Sequence, residues 1–341
     1  MPERVTEAPT LMTVARLANV SVASASRVMN GIRTNPETLE RVLEAAEAVG
    51  YAPNAAARSL RSRRTGQIAF AMPDVSNPVY TTMVSSIQAV AREHGVRLLL
   101  HSTDGDVADE LALLRDLKQR YVDGLIICST RFTKEHVDAL ARAAVPVAVI
   151  GRPPKEARVD TVRANSRRGA VEAVRHLYDV GRRRIAFVNG PEATVPGHAR
   201  RLGYLDGLRA CGLERDDALI EVAADFEKVE PGARATARLL ERTRPDAIFC
   251  ANDLLALGAV NTLRAAGLEI PRDVAVVGMD DSSVAAFTWP PLTSVDLGSA
   301  ERGRLAAELL LKRIDRPNRR PRTLGVEPRL VVRASTMEAV G

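Results

Sequence analysis

Thr10-Leu11-Met12-Thr13-Val14-Ala15-Arg16-Leu17-Ala18-Asn19-Val20-Ser21-Val22-Ala23-Ser24-Ala25-Ser26-Arg27-Val28-Met29-Asn30 is the stretch whose reading decides the fold. Leu11, Val14, Ala15 and Ala18 recur at helical spacing, which gives a first helix one apolar face. Asn19 falls where the chain must turn tightly, and asparagine tolerates a left-handed backbone better than any residue but glycine. Ser21 caps a second helix by accepting from backbone N–H groups in its first turn. On that helix Ala25, Val28 and Met29 point inward, leaving Val22, Ala23, Ser26, Arg27 and Asn30 outward. The pattern predicts a helix-turn-helix, a unit that sets its second helix in a DNA major groove. A third helix completes it: Asn35 caps, Pro36 suits the first helical position, and Glu37 favours the positive end of the dipole. Leu39, Val42, Leu43, Ala46 and Val49 form its apolar run, and Gly50 ends it in a left-handed conformation.

The segment that follows is basic. Arg58, Arg61, Arg63 and Arg64 fall within seven residues that hold no acid, and the whole chain carries a net charge of +6. Cations beside phosphates release condensed counterions, so such a cluster implies salt-dependent DNA binding. Pro53-Asn54-Ala55-Ala56-Ala57-Arg58-Ser59-Leu60 is helix-competent but short. Isolated helices below about 12–15 residues are marginal in water. The segment is therefore expected to become helical on DNA, when two copies pack together.

From Gln67 onward, short apolar runs alternate with amphipathic helices. Ile68–Met72, Val96–Leu100, Gly124–Cys128 and Val145–Ile150 read as parallel strands covered on both faces. A second series follows at Arg184–Val188, Ala247–Cys250 and Val274–Val277. The expected fold class is α/β: a helix-turn-helix headpiece over 10–52, a hinge helix and basic linker over 53–66, and a two-lobed body of doubly wound parallel sheets over 67–341. The first lobe takes about 67–164 and 296–322, with a returning helix at Gly303–Ile314. The second takes about 165–295 and 323–341, with a last strand near Arg329–Val332. Ligands of such sheets bind outside the carboxyl ends of the strands, and polar residues collect there. Asp74 and Asn77 follow the first strand and Tyr80 begins the next helix; Arg200 lies in a glycine-flanked loop-to-helix start; Asn252 and Asp280 follow two later strands. An arginine fork opposite Asn and Asp acceptors suits a polyhydroxylated ligand.

Val20-Ser21, Ser26-Arg27-Val28, Asn30, Gly50-Tyr51, Pro53-Asn54 and Ala57-Arg58-Ser59-Leu60 carry a resemblance, continued by Pro73-Asp74, Ser76-Asn77-Pro78, Arg200-Arg201-Leu202-Gly203-Tyr204, Ala251-Asn252-Asp253, Gly278-Met279-Asp280-Asp281 and Pro291-Leu292-Thr293. In this order and spacing, nearly end to end, the chain resembles the LacI/GalR family of bacterial transcriptional regulators, whose bodies are periplasmic-binding-protein-like. The resemblance implies a homodimeric repressor on a near-palindromic double-stranded operator. It assigns base contacts to Val22, Ala23 and Arg27, with Ser26 beside them, and phosphate contacts to Thr10, Ser21, Asn30 and Tyr51. It sets Leu60 as a wedge between bases in the minor groove, with Asn54, Ala57 and Arg61 as neighbouring contacts. It also implies that Arg200, Asn252 and Asp280 hold a small effector, usually a sugar and sometimes a nucleoside or purine, with Phe226 stacking on it. Four positions depart from the family pattern. Thr13 stands where the family often has Asp, Asn19 where it usually has Gly, and Ala25 where it often has Val. Gly151-Arg152 replaces an Asp-Arg pair, which removes a carboxylate from the pocket and argues against transferring any relative's ligand.

Other classes find little support. No apolar run approaches the roughly 20 residues that span a bilayer, and the first ten residues, with Glu3, Glu7 and two prolines, do not make a signal peptide. Cys128, Cys211 and Cys250 are widely spaced among apolar neighbours and read as buried, reduced thiols of a cytoplasmic protein. There is no Gly-rich phosphate loop, nucleophile elbow or metal-ligand spacing, so neither enzyme activity, nor a metal, nor a cofactor is expected. With no leucine heptads before Gly341, a tetramerising coiled coil is not expected either. The remaining alternatives are a regulator that needs a purine or nucleoside corepressor, one with a protein co-effector, and a cytosolic sugar-binding receptor.

Overall fold

Residues 9–52 and 64–337 are described by the computed structural model, as a headpiece that ends by Thr65 and a body that begins at Gly66. In the headpiece, α1 (Leu11–Leu17) begins at Thr10, whose hydroxyl accepts from the Thr13 N–H at 3.2 Å. The Thr13 hydroxyl accepts in return from the Thr10 N–H at 3.4 Å, so Thr13 serves as the cap's second half. Asn19 turns the chain at φ +50°. Helix α2 (Val22–Met29) is capped by Ser21, which accepts from the Ser24 N–H at 3.1 Å, and α3 (Pro36–Ala48) is capped by Asn35. Val14, Ala15, Ala18, Ala25, Val28, Val42, Ala45 and Ala46 are the buried core of these three helices. Leu39 and Leu43, expected inside, are 41% and 49% exposed. They lie at the edge of the stripe that Val42, Ala45 and Ala46 bury, and three short helices bury only one narrow stripe each.

The body holds two six-stranded sheets. In the first, β1 (Gln67–Met72), β2 (Arg97–Ser102), β3 (Gly124–Cys128), β4 (Val147–Ile150), β5 (Asp160–Ala164) and β11 (Thr323–Val326) lie in the order β11-β5-β4-β3-β1-β2, all parallel. In the second, β6 (Ile185–Asn189), β7 (Ile220–Val222), β8 (Ala247–Cys250), β9 (Ala275–Met279), β10 (Thr293–Asp296) and β12 (Arg329–Val331) lie in the order β12-β10-β9-β8-β6-β7, parallel except for β12. Both sheets reverse their winding beside their first strand, and such a switch point opens a crevice at the carboxyl ends. Helices α5 (Val107–Asp116), α6 (Lys134–Ala141) and α9 (Glu230–Arg242) follow β2, β3 and β7, and those that position the site are α4 (Pro78–Glu93) after β1, α7 (Ser166–Asp179) after β5, α8 (Val195–Ala210) after β6, α10 (Asp253–Ala265) after β8 and α11 (Ser299–Asp315) after β10. A stack of Phe187 on Tyr204 at 4.8 Å and on Phe249 at 5.1 Å fills the centre of the second lobe.

Several expectations change. Strand β2 is the edge of its sheet, with Leu99 and Leu100 39% and 49% exposed, so it is not covered on both faces. Strand β11 pairs with β5, so the chain returns to the second lobe after Val326 rather than at 323. Strands β5, β7, β10 and β11 were not evident as apolar runs. Arg200 lies inside α8, past its first turn, rather than at a loop-to-helix start. Helix α11 starts at Ser299, earlier than expected. Cys128 and Cys250 are buried, but Cys211 is half-buried. Among the described residues no helix is long and apolar enough to cross a membrane.

Candidate functional site

On the headpiece, the outward face of α2 is as the spacing predicted. Val22 is 46% exposed, Ala23, Arg27 and Asn30 are exposed, and Ser26 is half-buried. Asn30 closes the helix by donating from Nδ2 to the Ser26 carbonyl at 2.6 Å, so its side chain is fixed at the end of the exposed face. Thr10 and Ser21 stand exposed at the starts of two helices, and Tyr51 packs partly against the small core. Asn54, Ala57, Leu60 and Arg61 lie outside the described residues.

In the body, a cavity of about 790 Å³, counting the solvent-open space at its mouth, lies between the carboxyl ends of the two sheets. Asn77, Tyr80, Arg200, Phe226, Asn252 and Asp280 all line it; Asp74 does not, and instead accepts from the Ser76 N–H at 2.7 Å to shape the turn after β1. At the centre Arg200 donates from Nη1 to the Ala251 carbonyl at 2.7 Å and from Nη2 to Asp280 Oδ1 at 3.2 Å. The pair is buried, and the Arg200 Nε is buried without a partner. Burial raises the Asp280 carboxyl above its ordinary pKa, against the opposing pull of Arg200 and Arg302. Phe226 lies 5.4 Å from the Arg200 guanidinium carbon, and its ring fits because residue 190 is glycine: a Cβ there would meet the ring at 2.4 Å.

Backbone strain marks the same place. Asp280 has φ +107° and Asp281 φ +45°, a region L-residues adopt only when the surroundings hold them. Asp253 supplies that hold: its carboxylate accepts from the Ser282 N–H at 2.6 Å and from the Ser282 and Ser294 hydroxyls at 2.8 and 2.5 Å. Ser294 in turn accepts from the Asp281 N–H at 3.0 Å. Asn252 caps α10 by accepting from the Leu255 N–H at 2.9 Å and donates to the Phe226 carbonyl at 2.7 Å, so it braces the loop that carries the aromatic ring.

Three charged lining residues were not foreseen. Glu227 follows Phe226 and accepts from Asn77 Nδ2 at 2.6 Å, a bond that joins the two lobes across the cavity. Burial pushes its carboxyl up to about 7. Arg163 comes from β5, whose polar sequence hid it, and Arg302 from the first turns of α11. An acidic residue directly after the aromatic position was the one visible cue to Glu227.

A DNA-reading headpiece joined to two doubly wound lobes around a polar cavity defines a regulator that senses a small molecule. Comparison with known proteins agrees. The profile described as "Bacterial regulatory proteins, lacI family" matches residues 10–54, and that of a "Periplasmic binding protein-like domain" matches residues 174–336. The ribose operon repressor of Escherichia coli (strain K12) is 35% identical over 329 residues, 96% of this chain and 99% of that protein. Among solved structures, a transcriptional regulator CelR–cellobiose complex is 35% identical over 96% of this chain and 99% of its own, with a TM-score of 0.73. The lac repressor dimer bound to operator and the anti-inducer ONPF is 25% identical over 97% of this chain and 100% of its own, with a TM-score of 0.86. The chain belongs to the LacI family of bacterial regulatory proteins. It is a DNA-binding transcriptional regulator with an effector-binding body, and these relatives are regulators rather than enzymes.

Proposed function

We propose that this regulator is a homodimeric repressor of a carbohydrate-utilisation operon, released from a near-palindromic operator when a sugar occupies the cavity. The observation that carries the reading is the buried Arg200–Asp280 pair, on the second lobe's wall of the cavity with Phe226 against its face. A sugar offers alternating donors and acceptors on its rim and an apolar face, which such a pair and ring match. The sugars named for two relatives support the same ligand class. Tyr80, Asn77 and Asn252 complete the contact set; Asp74 keeps to the turn. Residues 10–52 read the operator, with Arg27 on a guanine edge, Val22, Ala23 and Ser26 beside it, and Thr10, Ser21, Asn30 and Tyr51 on phosphates. The segment 53–66, with Asn54, Ala57, Leu60 and Arg61, enters the minor groove between them, and 67–341 senses the ligand. Leu99 and Leu100 on the edge of β2, with Phe287 and Trp289 at 87% and 75% exposure, offer apolar area to a second copy. A regulator of this kind works in the bacterial cytoplasm.

Thermal melting of the purified protein against monosaccharides, disaccharides and nucleosides tests the reading. A ligand at 100 times its Kd stabilises the fold by about 2.7 kcal/mol. The expected result is a raised Tm with at least one sugar, lost in Asp280→Asn, together with release of operator DNA in the native protein. A well-folded protein that responds to no sugar sinks the proposal.

A further inference from the structure

Two guanidinium groups at the mouth of the cavity lack a counter-charge. Ile150 of β4 pairs with Val162 of β5, and the Gly151 N–H donates to the Val162 carbonyl at 2.9 Å, which brings Arg152 beside Arg163. Both line the cavity, and both are exposed enough for their head groups to meet a ligand. Neither has an ion pair or hydrogen bond among the described residues. Burial, and then the neighbouring Arg163 charge, lower the Arg152 pKa from the guanidinium's ordinary value. Position 151 supplies no relief. It is glycine at φ +142°, so no carboxylate stands where it could neutralise Arg152.

The excess of positive charge continues inward. Arg302 donates to Ser299 Oγ at 3.1 Å, yet its Nε is buried without a partner, as is that of Arg200. The acids on the cavity wall do not offset this. Asp280 is engaged by Arg200, and Glu227, pushed up to about 7, is only partly ionised near neutral pH. Paired arginine forks match carboxylate and phosphate oxygens in geometry as well as charge.

We infer that the cavity takes an anionic sugar, a sugar phosphate or a sugar acid, whose charged group lies across Arg152 and Arg163 while its hydroxyls meet Arg200 and Asp280. The inference rests on the reading of this cavity as the effector site and narrows its ligand class.

Calorimetric titration of the full-length protein with matched sets tests it: D-glucose, D-gluconate, D-glucuronate and D-glucose 6-phosphate, then D-ribose and D-ribose 5-phosphate. At least one anion is expected to bind about tenfold or more tightly than its neutral parent, and to weaken as sodium chloride is raised. A preference for phosphate or for carboxylate supports the inference either way and tells which group the arginines read. In Arg152→Gln/Arg163→Gln, two exposed positions whose side chains hold no partner among the described residues, the ratio of anion to neutral affinity should fall towards one at unchanged Tm. A neutral sugar that binds more tightly than its anions, in a manner lost in Asp280→Asn, overturns the inference and leaves the effector reading standing. An unchanged ratio in the double variant overturns it too. A panel in which nothing binds overturns both.

Discussion

Asp280 combines three properties that seldom meet in one residue: a left-handed backbone, nearly complete burial and a single arginine partner. Removing one member of a buried pair strands the other charge, at a cost of about 3–5 kcal/mol. Asp280→Ala should therefore lower stability by about 3 kcal/mol in urea unfolding as well as abolish effector binding, because Arg200 keeps only the Ala251 carbonyl. Glu227 makes a different prediction. Its carboxyl is raised from 4.5 to about 7, chiefly by burial and then by the Asp74, Asp280 and Asp225 charges, against the Asn77 hydrogen bond. A carboxyl whose pKa is higher folded than unfolded stabilises the fold fully below its unfolded pKa, and that contribution disappears as pH rises through the folded value. Between about pH 4.5 and 7 the chain should thus lose up to about 3 kcal/mol through this one group. Melting curves at pH 5 and pH 8 should show the native protein losing more stability than Glu227→Gln, which keeps the Asn77 contact and cannot ionise. Equal losses would show that Glu227 ionises in the fold as it does in the open chain.

At the scale of elements, the helices that carry the site are pressed together through glycines. A Cβ on Gly203 of α8 would lie 2.2 Å from the Arg167 carbonyl oxygen and 2.7 Å from the Ala170 Cβ of α7. Gly203→Ala must push α8 outward, costing about 1–3 kcal/mol, and it moves Arg200 one turn away on the same helix. Weaker effector binding with operator binding intact is the expected signature, read by titration of each ligand. Ser21→Ala is the opposite case. It removes the cap of α2, worth about 1 kcal/mol, so amide exchange in that helix should quicken several-fold while effector affinity holds. The elements that were legible from sequence were those whose burial is apolar. Strands β1, β3, β4, β6, β8 and β9 announced themselves as apolar runs. Strand β5 did not, because its buried Asp160 is held by Arg313 of α11 and by Arg319 beyond it. Strand β7 is short, and its Glu221 is paired with Arg238 and Arg242 of α9 (Glu230–Arg242). Strand β10 buries Thr293 and Ser294 on partners from the end of the chain and from Asp253. Polar residues satisfied by distant partners leave no local pattern to read. The same reason hid Glu227; Arg163 was hidden because the strand that carries it, β5, was not evident. Arg200, Asn252 and Asp280 were found from their places after strands and from family resemblance.

At the scale of the whole molecule, the body is built to let one event in the cavity be felt by both lobes. The chain passes between the sheets after β5, after β10 and after β11. Two further ties cross the cleft: Asn77 to Glu227 at 2.6 Å, and the Val195 N–H at the start of α8 to the Thr130 carbonyl at 2.8 Å. A ligand that touches residues of both lobes must change the balance between their arrangements by the difference in its affinity for each. If one such arrangement favours the operator-bound protein, the coupling is reciprocal: whatever factor the effector removes from operator affinity, the operator removes from effector affinity. A hundredfold loss of operator affinity corresponds to about 2.7 kcal/mol of coupling. The effector's Kd should then rise about a hundredfold when saturating operator DNA is present. Titrating effector into free and operator-bound protein measures the two factors separately. Equal factors establish one coupled equilibrium running through the body. An effector affinity indifferent to operator would show instead that release requires something other than the cavity ligand, such as a second protein acting on the headpiece.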